Sequence, residues 1–226
     1  MNKNRVFSPH FNERKLPIDS IILHYTDMPS TDEVLRWFTN PHSNVSAHYL
    51  IDEEGQIYHL IEEDKRAWHA GESYWQGCTD LNSCSIGIEL SNPGHSYGYR
   101  PFPEAQIEGL LKLSKEIQIR WGIPRSRILG HSDIAPRRKQ DPGHLFPWER
   151  LAIEGLGLWP SPSSRKFLQK FPLDDALHKI GYEILSLSHA LTAFQRHFQP
   201  HKWDGEADEQ TYALIDGLLE AQKKLI

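Results

Sequence analysis

The sequence predicts an α/β fold: a central mixed β-sheet flanked by helices, followed by a small three-helix bundle. Three observations carry this. Short apolar runs alternate with helix-patterned segments as far as residue 157. A Pro/Ser-rich stretch, LWPSPSSRK at 158–166, then breaks the pattern. Beyond it every pattern is helical. The expected organisation is a domain at 1–157, a linker at 158–171 and a helical domain at 172–226.

Residues 1–17 read as an extended arm closed by Pro17. IDSIILHY, 18–25, is the first strand, and its continuous Ile21-Ile22-Leu23 run argues burial on both faces. His24 ends that run. It is either a side chain aimed into a cleft from a rigid strand or a core imidazole bonded to a backbone carbonyl. Thr31 is placed as the N-cap of a helix over 32–39, with Val34, Leu35 and Phe38 on its apolar face. VSAHYLIDEEGQIYHLI reads as a β-hairpin turning at Glu54-Gly55. It carries His48, a candidate for lining a site, and His59, expected to be solvated or at an edge. AWHAGESYWQG, 67–77, has no periodicity and reads as a groove-shaping loop, with His69 and Trp75 as candidate substrate contacts. Packing of His69 against Trp68 is the competing reading.

SIGIEL, 85–90, is a second buried-type strand, yet Glu89 stands between Ile88 and Leu90. A carboxylate there is costly unless it is paired or faces a cleft, and partial burial raises its pKa toward the range of a general base. An edge-strand surface Glu is the alternative. Pro103 opens a long helix to Trp121 with Ile107, Leu110, Leu111, Ser114, Ile117 and Trp121 as its stripe, and Gly122 with Pro124 ends it. Ile128-Leu129 forms a short strand that delivers GHSDIAPRRKQDPG, 130–143. Pro136 and Pro142 forbid regular structure through it, so it is a polar loop holding His131, Lys139 and Asp141. By itself it is either a basic surface loop or a set of groups aimed at one point. A short helix follows at 147–154, and three more are expected at 174–180, 186–198 and 208–225.

The totals narrow the function. A net charge of −5 gives no support for nucleic-acid binding through bulk charge. No run of about 18 apolar residues exists to span a membrane. The opening residues contain no apolar segment, so the expected location is cytoplasmic, with the periplasm or cell envelope as the alternative if export uses another route. Cys78 and Cys84 lie six residues apart; two free thiols are expected, with a small disulfide loop as the alternative. Thirteen His, seven Trp and eight Tyr suit a sugar- or peptide-binding groove and equally suit a core.

His24, His131 and Asp141 together would supply three protein ligands and leave a fourth position open, the stoichiometry of a catalytic zinc. Glu89 would then be general base and Lys139 the cation near a developing oxyanion, which suits amide hydrolysis.

IILHYT, NVSAHYLIDEEGQIYHLI, AWHAG, SIGIEL, GHSDIAPRRKQDPG and FPW, in that order, resemble the zinc-dependent N-acetylmuramoyl-L-alanine amidases of the amidase-2 type. That group is similar in fold to peptidoglycan recognition proteins and phage T7 lysozyme. The resemblance covers about residues 15–157. It implies Zn2+ bound by His24, His131 and Asp141, and Glu89 with Lys139 as the catalytic pair. Asp141, where T7-type members carry Cys, follows the AmpD/AmiD pattern. LTAFQRHFQP and DGEADEQTYALIDGLL resemble a three-helix peptidoglycan-binding domain. The implied substrate is peptidoglycan or a muropeptide, cut between N-acetylmuramic acid and L-alanine. A non-catalytic peptidoglycan receptor on the same fold is the second reading.

Overall fold

The structure, a computed structural model, describes residues 3–163 and 171–224. In chain order the elements are β1 (Lys3–Arg5), β2 (Phe11–Glu13), β3 (Ser20–Tyr25), α1 (Thr31–Thr39), β4 (Tyr49–Ile51), β5 (Ile57–His59) and β6 (Lys65–Ala67). Then come α2 (Leu81–Cys84), β7 (Ser85–Leu90), α3 (Gly94–Tyr97), α4 (Glu104–Trp121), β8 (Ile128–Gly130), α5 (His131–Ile134) and α6 (Trp148–Ile153). The chain ends in α7 (Leu173–Ile180), α8 (Leu187–Phe198) and α9 (Glu209–Lys223).

Six strands form one sheet in the order β1-β5-β4-β7-β3-β8, and β2 pairs with β6 in a separate ribbon. The sheet is mixed, as expected. β4, β7, β3 and β8 run parallel, while β5 returns antiparallel to β4 through the predicted hairpin. In that turn Gly55 adopts φ 80°, and a Cβ there would stand 2.3 Å from the Ala105 carbonyl oxygen. Only glycine permits both.

The two faces of β3 and β7 serve different ends, because strand side chains alternate. Ile21, Leu23, Ile86, Ile88 and Leu90 point to one face and pack against Ile107, Leu110, Leu111 and Ile117 of α4. The other face carries Ile22, His24, Ser85, Gly87 and Glu89. There Ile22 joins a second core with Leu129, Ile134, Trp75 and the helices α7 to α9. Leu177, Phe194, Ile215 and Leu218 of those helices are buried in it. The three helices are therefore built onto the sheet through a shared apolar core.

Several local expectations change. The arm at 1–17 contains β1 and β2, because β1 finds the edge of β5 and β2 pairs with β6. The N-cap of α1 is Ser30, whose Oγ accepts from the Glu33 amide at 3.3 Å; Thr31 begins the helix and its hydroxyl meets Ser91. Trp121 leaves the apolar stripe of α4: its ring is partly exposed and its indole N–H donates to the buried Glu63 carboxylate. His59 stacks on Tyr49 across the hairpin. The thiols of Cys78 and Cys84 are free, 3.6 Å apart, and burial, with Asp19 and Cys78 adding to it, pushes the Cys84 thiol up to about 12. Part of the linker expected at 158–171, and the last residue of the helix expected at 208–225, lie outside the described residues. No described helix is long and apolar enough to cross a membrane.

Candidate active site

Parallel register assembles the site. His24 of β3 is the direct partner of Glu89 of β7, and Leu23 is the partner of Gly130 of β8. His131, the next residue after Gly130, thus emerges beside His24 at the carboxyl edge of three parallel strands. That edge is where open α/β sheets hold ligands. The polar loop then turns back, with the Ser132 amide donating to the Asp141 carbonyl at 2.8 Å. A Cβ on Gly130 would stand 2.8 Å from the Pro142 ring, so glycine is needed for the return.

His24 Nδ1, His131 Nδ1 and Asp141 Oδ2 form a triangle with edges of 2.9, 3.0 and 3.0 Å, all three side chains buried. Three donors on a tetrahedral ion at about 2.0 Å stand roughly 3.3 Å apart, so the set is of the right size for one. The tautomers test the fit further. His131 Nε2 faces the Ala70 carbonyl at 3.1 Å and so carries a proton there, which turns Nδ1 toward the triangle. The Ser85 hydroxyl donates to the Leu81 carbonyl, so Ser85 accepts from His69 Nε2–H at 3.2 Å. His69 Nδ1 accordingly accepts from His24 Nε2–H at 3.0 Å, which frees His24 Nδ1 as well. Two imidazole nitrogens and a carboxylate oxygen thus converge on one point. Such a set of donors fits a metal ion.

Burial, reinforced by His131, lowers His24 to about 4 against the opposing pull of Asp141. Burial and then His24 keep His69 well below its usual value, so both rings are neutral. Burial alone would raise Asp141, but His131 and His24 outweigh it and hold the carboxyl below the usual carboxylate range. Glu89 moves the opposite way. Burial and then the Asp141 charge raise it well above an ordinary glutamate, with Lys139 opposing, and its Oε2 is buried without a hydrogen-bond partner among the described residues. A proton acceptor kept unpaired beside a metal-capable triad is available for chemistry.

These groups open on a cleft of roughly 590 Å³. Met28, Trp37, Val45 and Trp68 form its apolar wall, and His24, His69, Glu89, His131, Lys139 and Asp141 its polar end. Lys139 is exposed at the rim, its ammonium without an ion pair among the described residues.

Two candidate contacts stand elsewhere. His48 is fully buried behind the cleft: Nδ1 accepts from the Gly87 amide at 2.9 Å and Nε2 faces the Lys65 carbonyl at 3.0 Å. Burial and then Arg14 lower it to about 3. It ties β7 to the neighbouring chain and does not reach the cleft. Trp75 is also buried, edge-on to Tyr182 at 4.9 Å, because its loop turns away from the cleft and packs on the C-terminal helices. His69 does line the cleft, but its two nitrogens are engaged with His24 and Ser85, so it orients a ligand.

Sequence reasoning missed Ser85, Gly87 and Asn82. A Cβ on Gly87 would lie 2.5 Å from the His69 ring, so this glycine makes room for the imidazole. Glycine inside a buried strand was the available cue. Asn82 Oδ1 accepts from the amides of His69 and Ala70, at 2.9 and 2.7 Å, and nothing local marks it.

A mixed sheet with a metal-capable triad and a desolvated carboxylate at its carboxyl edge is the framework of a hydrolase. A family model described as N-acetylmuramoyl-L-alanine amidase, Amidase_2, matches residues 14–144. The chain is 38% identical to N-acetylmuramoyl-L-alanine amidase AmiD of Escherichia coli K12, over 90% of this chain and 83% of that protein. It is 36% identical to 1,6-anhydro-N-acetylmuramyl-L-alanine amidase AmpD of Haemophilus influenzae, over 65% of this chain and 88% of that one. Among solved structures, E. coli AmiD in complex with the substrate anhydro-N-acetylmuramic acid-L-Ala-D-gamma-Glu-L-Lys superposes with TM-score 0.80 and 33% identity, covering 94% of this chain and 98% of that one. AmpDh3 from Pseudomonas aeruginosa gives TM-score 0.82 at 32% identity, covering 91% and 92%. The chain belongs to the Amidase_2 family of N-acetylmuramoyl-L-alanine amidases, and it is an enzyme of that class.

Proposed function

We propose that this chain hydrolyses the amide between the lactyl group of N-acetylmuramic acid and L-alanine of the stem peptide, using one zinc ion held by His24, His131 and Asp141. The observation that carries the reading is the convergence of two imidazole nitrogens and a carboxylate beside Glu89. Zinc bound there supplies Lewis acidity toward the scissile carbonyl and toward the attacking water. Glu89 takes a proton from that water and passes it to the departing L-alanine nitrogen. The Lys139 ammonium, on the rim, meets the negative charge that develops on the carbonyl oxygen. His69 holds His24 in the tautomer the ligand role needs. The apolar wall of Trp37, Trp68, Met28 and Val45 offers rings and methyls against which sugar and peptide can desolvate.

The related AmiD and AmpDh3 structures have been solved with anhydromuramyl peptides, which supports the same substrate class here. We assign residues 1–157 to the amidase, 158–171 to a linker and 172–226 to a peptidoglycan-binding-like unit that adds affinity for wall. The test measures release of stem peptide from a soluble anhydromuropeptide and from intact peptidoglycan, each with and without chelator. Chelator-sensitive release from at least one is expected. Release from the soluble substrate alone goes with muropeptide recycling in the cytoplasm, and release from both with a wall-acting enzyme in the envelope. Stoichiometric zinc without release from either would overturn the enzymatic reading in favour of a receptor.

A further inference from the structure

The turn that carries His131 is completed from the far end of the chain. α5 is four residues long, too short to hold its own geometry. Its third residue, Asp133, is almost wholly buried, and a carboxyl group there requires hydrogen-bond partners. Among the described residues it has three. The Gly130 amide donates to Oδ2 at 2.8 Å, which ties the residue before His131. The other two come from the C-terminal helical segment: the Tyr182 hydroxyl donates to Oδ1 at 2.8 Å, and His197 Nδ1–H to Oδ2 at 2.8 Å.

Both donors are held firmly. Tyr182 is fully buried and edge-on to Trp75. Burial and then Asp133 keep its hydroxyl well above the usual tyrosine value, so it stays a donor. The His197 ring is sandwiched between Trp148 and Phe198, each centroid 3.8 Å away. Ile134, the last residue of the turn, lies in the same apolar core as Leu177, Phe194 and Leu218. On the reading of His24, His131 and Asp141 as the metal site, we infer that Tyr182 and His197 are positioning residues for that site. Acting through Asp133, they set the orientation of His131, so the C-terminal helices determine metal affinity in addition to any contact with wall.

The mechanism is local. Without the two donors Asp133 keeps only the Gly130 amide, and a buried carboxylate short of partners draws water or shifts toward solvent. Either response moves the turn and with it His131 Nδ1. Ligand sets tolerate little displacement, and loss of a supporting partner typically weakens metal binding about 10–100-fold.

The experiment titrates zinc into metal-stripped full-length protein against a chelating competitor and records thermal unfolding of the same samples. Tyr182→Phe removes one oxygen and keeps the ring. His197→Phe removes the donor and keeps the stack, while His197→Asn offers an N–H near the place of Nδ1. Leu177→Ala damages the same core without touching Asp133. Expected is a rise in zinc Kd of about tenfold for Tyr182→Phe and for His197→Phe. His197→Asn should recover most of the loss, and Leu177→Ala should lower Tm with Kd unchanged. Wild-type affinity in both Tyr182→Phe and His197→Phe would overturn the positioning role alone. So would an equal loss in Leu177→Ala, which would mark a general effect of loosening the core. Failure of the wild-type protein to bind one zinc would overturn both the positioning role and the metal site.

Discussion

The two faces of the central sheet are made from alternate residues of the same strands, yet they obey different rules. On the α4 face, Ile21, Leu23, Ile86, Ile88 and Leu90 meet Ile107, Leu110 and Leu111 in one apolar cluster. Packing within that cluster depends on volume and shape, not on a particular partner for each side chain. On the opposite face His24, Ser85 and Glu89 are polar and Gly87 is bare. Specific neighbours define them: His24 is set by His69, and His69 by Ser85 and the space over Gly87, while Glu89 Oε2 has no hydrogen-bond partner among the described residues. The first face packs the sheet against a helix. The second spends buried polar groups on orientation, which an apolar surface cannot supply.

That contrast can be broken at its sharpest point first. Glu89→Gln removes the proton acceptor and leaves the three candidate ligands in place. Turnover should fall about 10²–10⁴-fold with zinc stoichiometry unchanged. Substantial retained activity would mean that the desolvated carboxylate is not the base.

On the α4 face, Leu110→Ala should cost about 2–5 kcal/mol of unfolding free energy by creating a cavity, measured by denaturant titration. Zinc affinity of the folded protein should not move, and a parallel loss of zinc would erase the distinction between the faces. The smallest effect belongs to the supporting chain behind the metal site. His69→Ala should weaken zinc about 10–100-fold, and Ser85→Ala, one bond further away, should weaken it less. Equal effects, or none, in a chelator competition would show that the tautomer relay does not hold His24.

Much of the site was legible in the residues themselves. A histidine closing a continuous apolar run, a glutamate between Ile88 and Leu90, and a proline-bounded loop with His131, Lys139 and Asp141 each break a local pattern. Broken patterns point to polar groups held at strand ends. His48 and Trp75 drew attention for the same kind of reason, and there the signal misled. His48 lies in a strand-like run as His24 does, but it stands just before β4, and the Gly87 amide and Lys65 carbonyl take both its nitrogens inside the molecule. Trp75 lies in an aromatic loop as Trp68 does, but the C-terminal helices cover it.

The order of residues by itself determined the alternation of strands and helices, the apolar stripe of α4 apart from Trp121, and the hairpin at Gly55. These rest on periodicity and turn chemistry, which act over a few neighbouring residues. Only the tertiary structure decided which polar side chains share the cleft, because that depends on the parallel register that sets His24 beside Glu89 and Leu23 beside Gly130. It also decided that Asp133 is answered by Tyr182 and His197, 49 and 64 residues away. A hydrogen bond that spans such a separation leaves no local trace in sequence. It exists because two surfaces pack and bury a carboxylate that must then be satisfied.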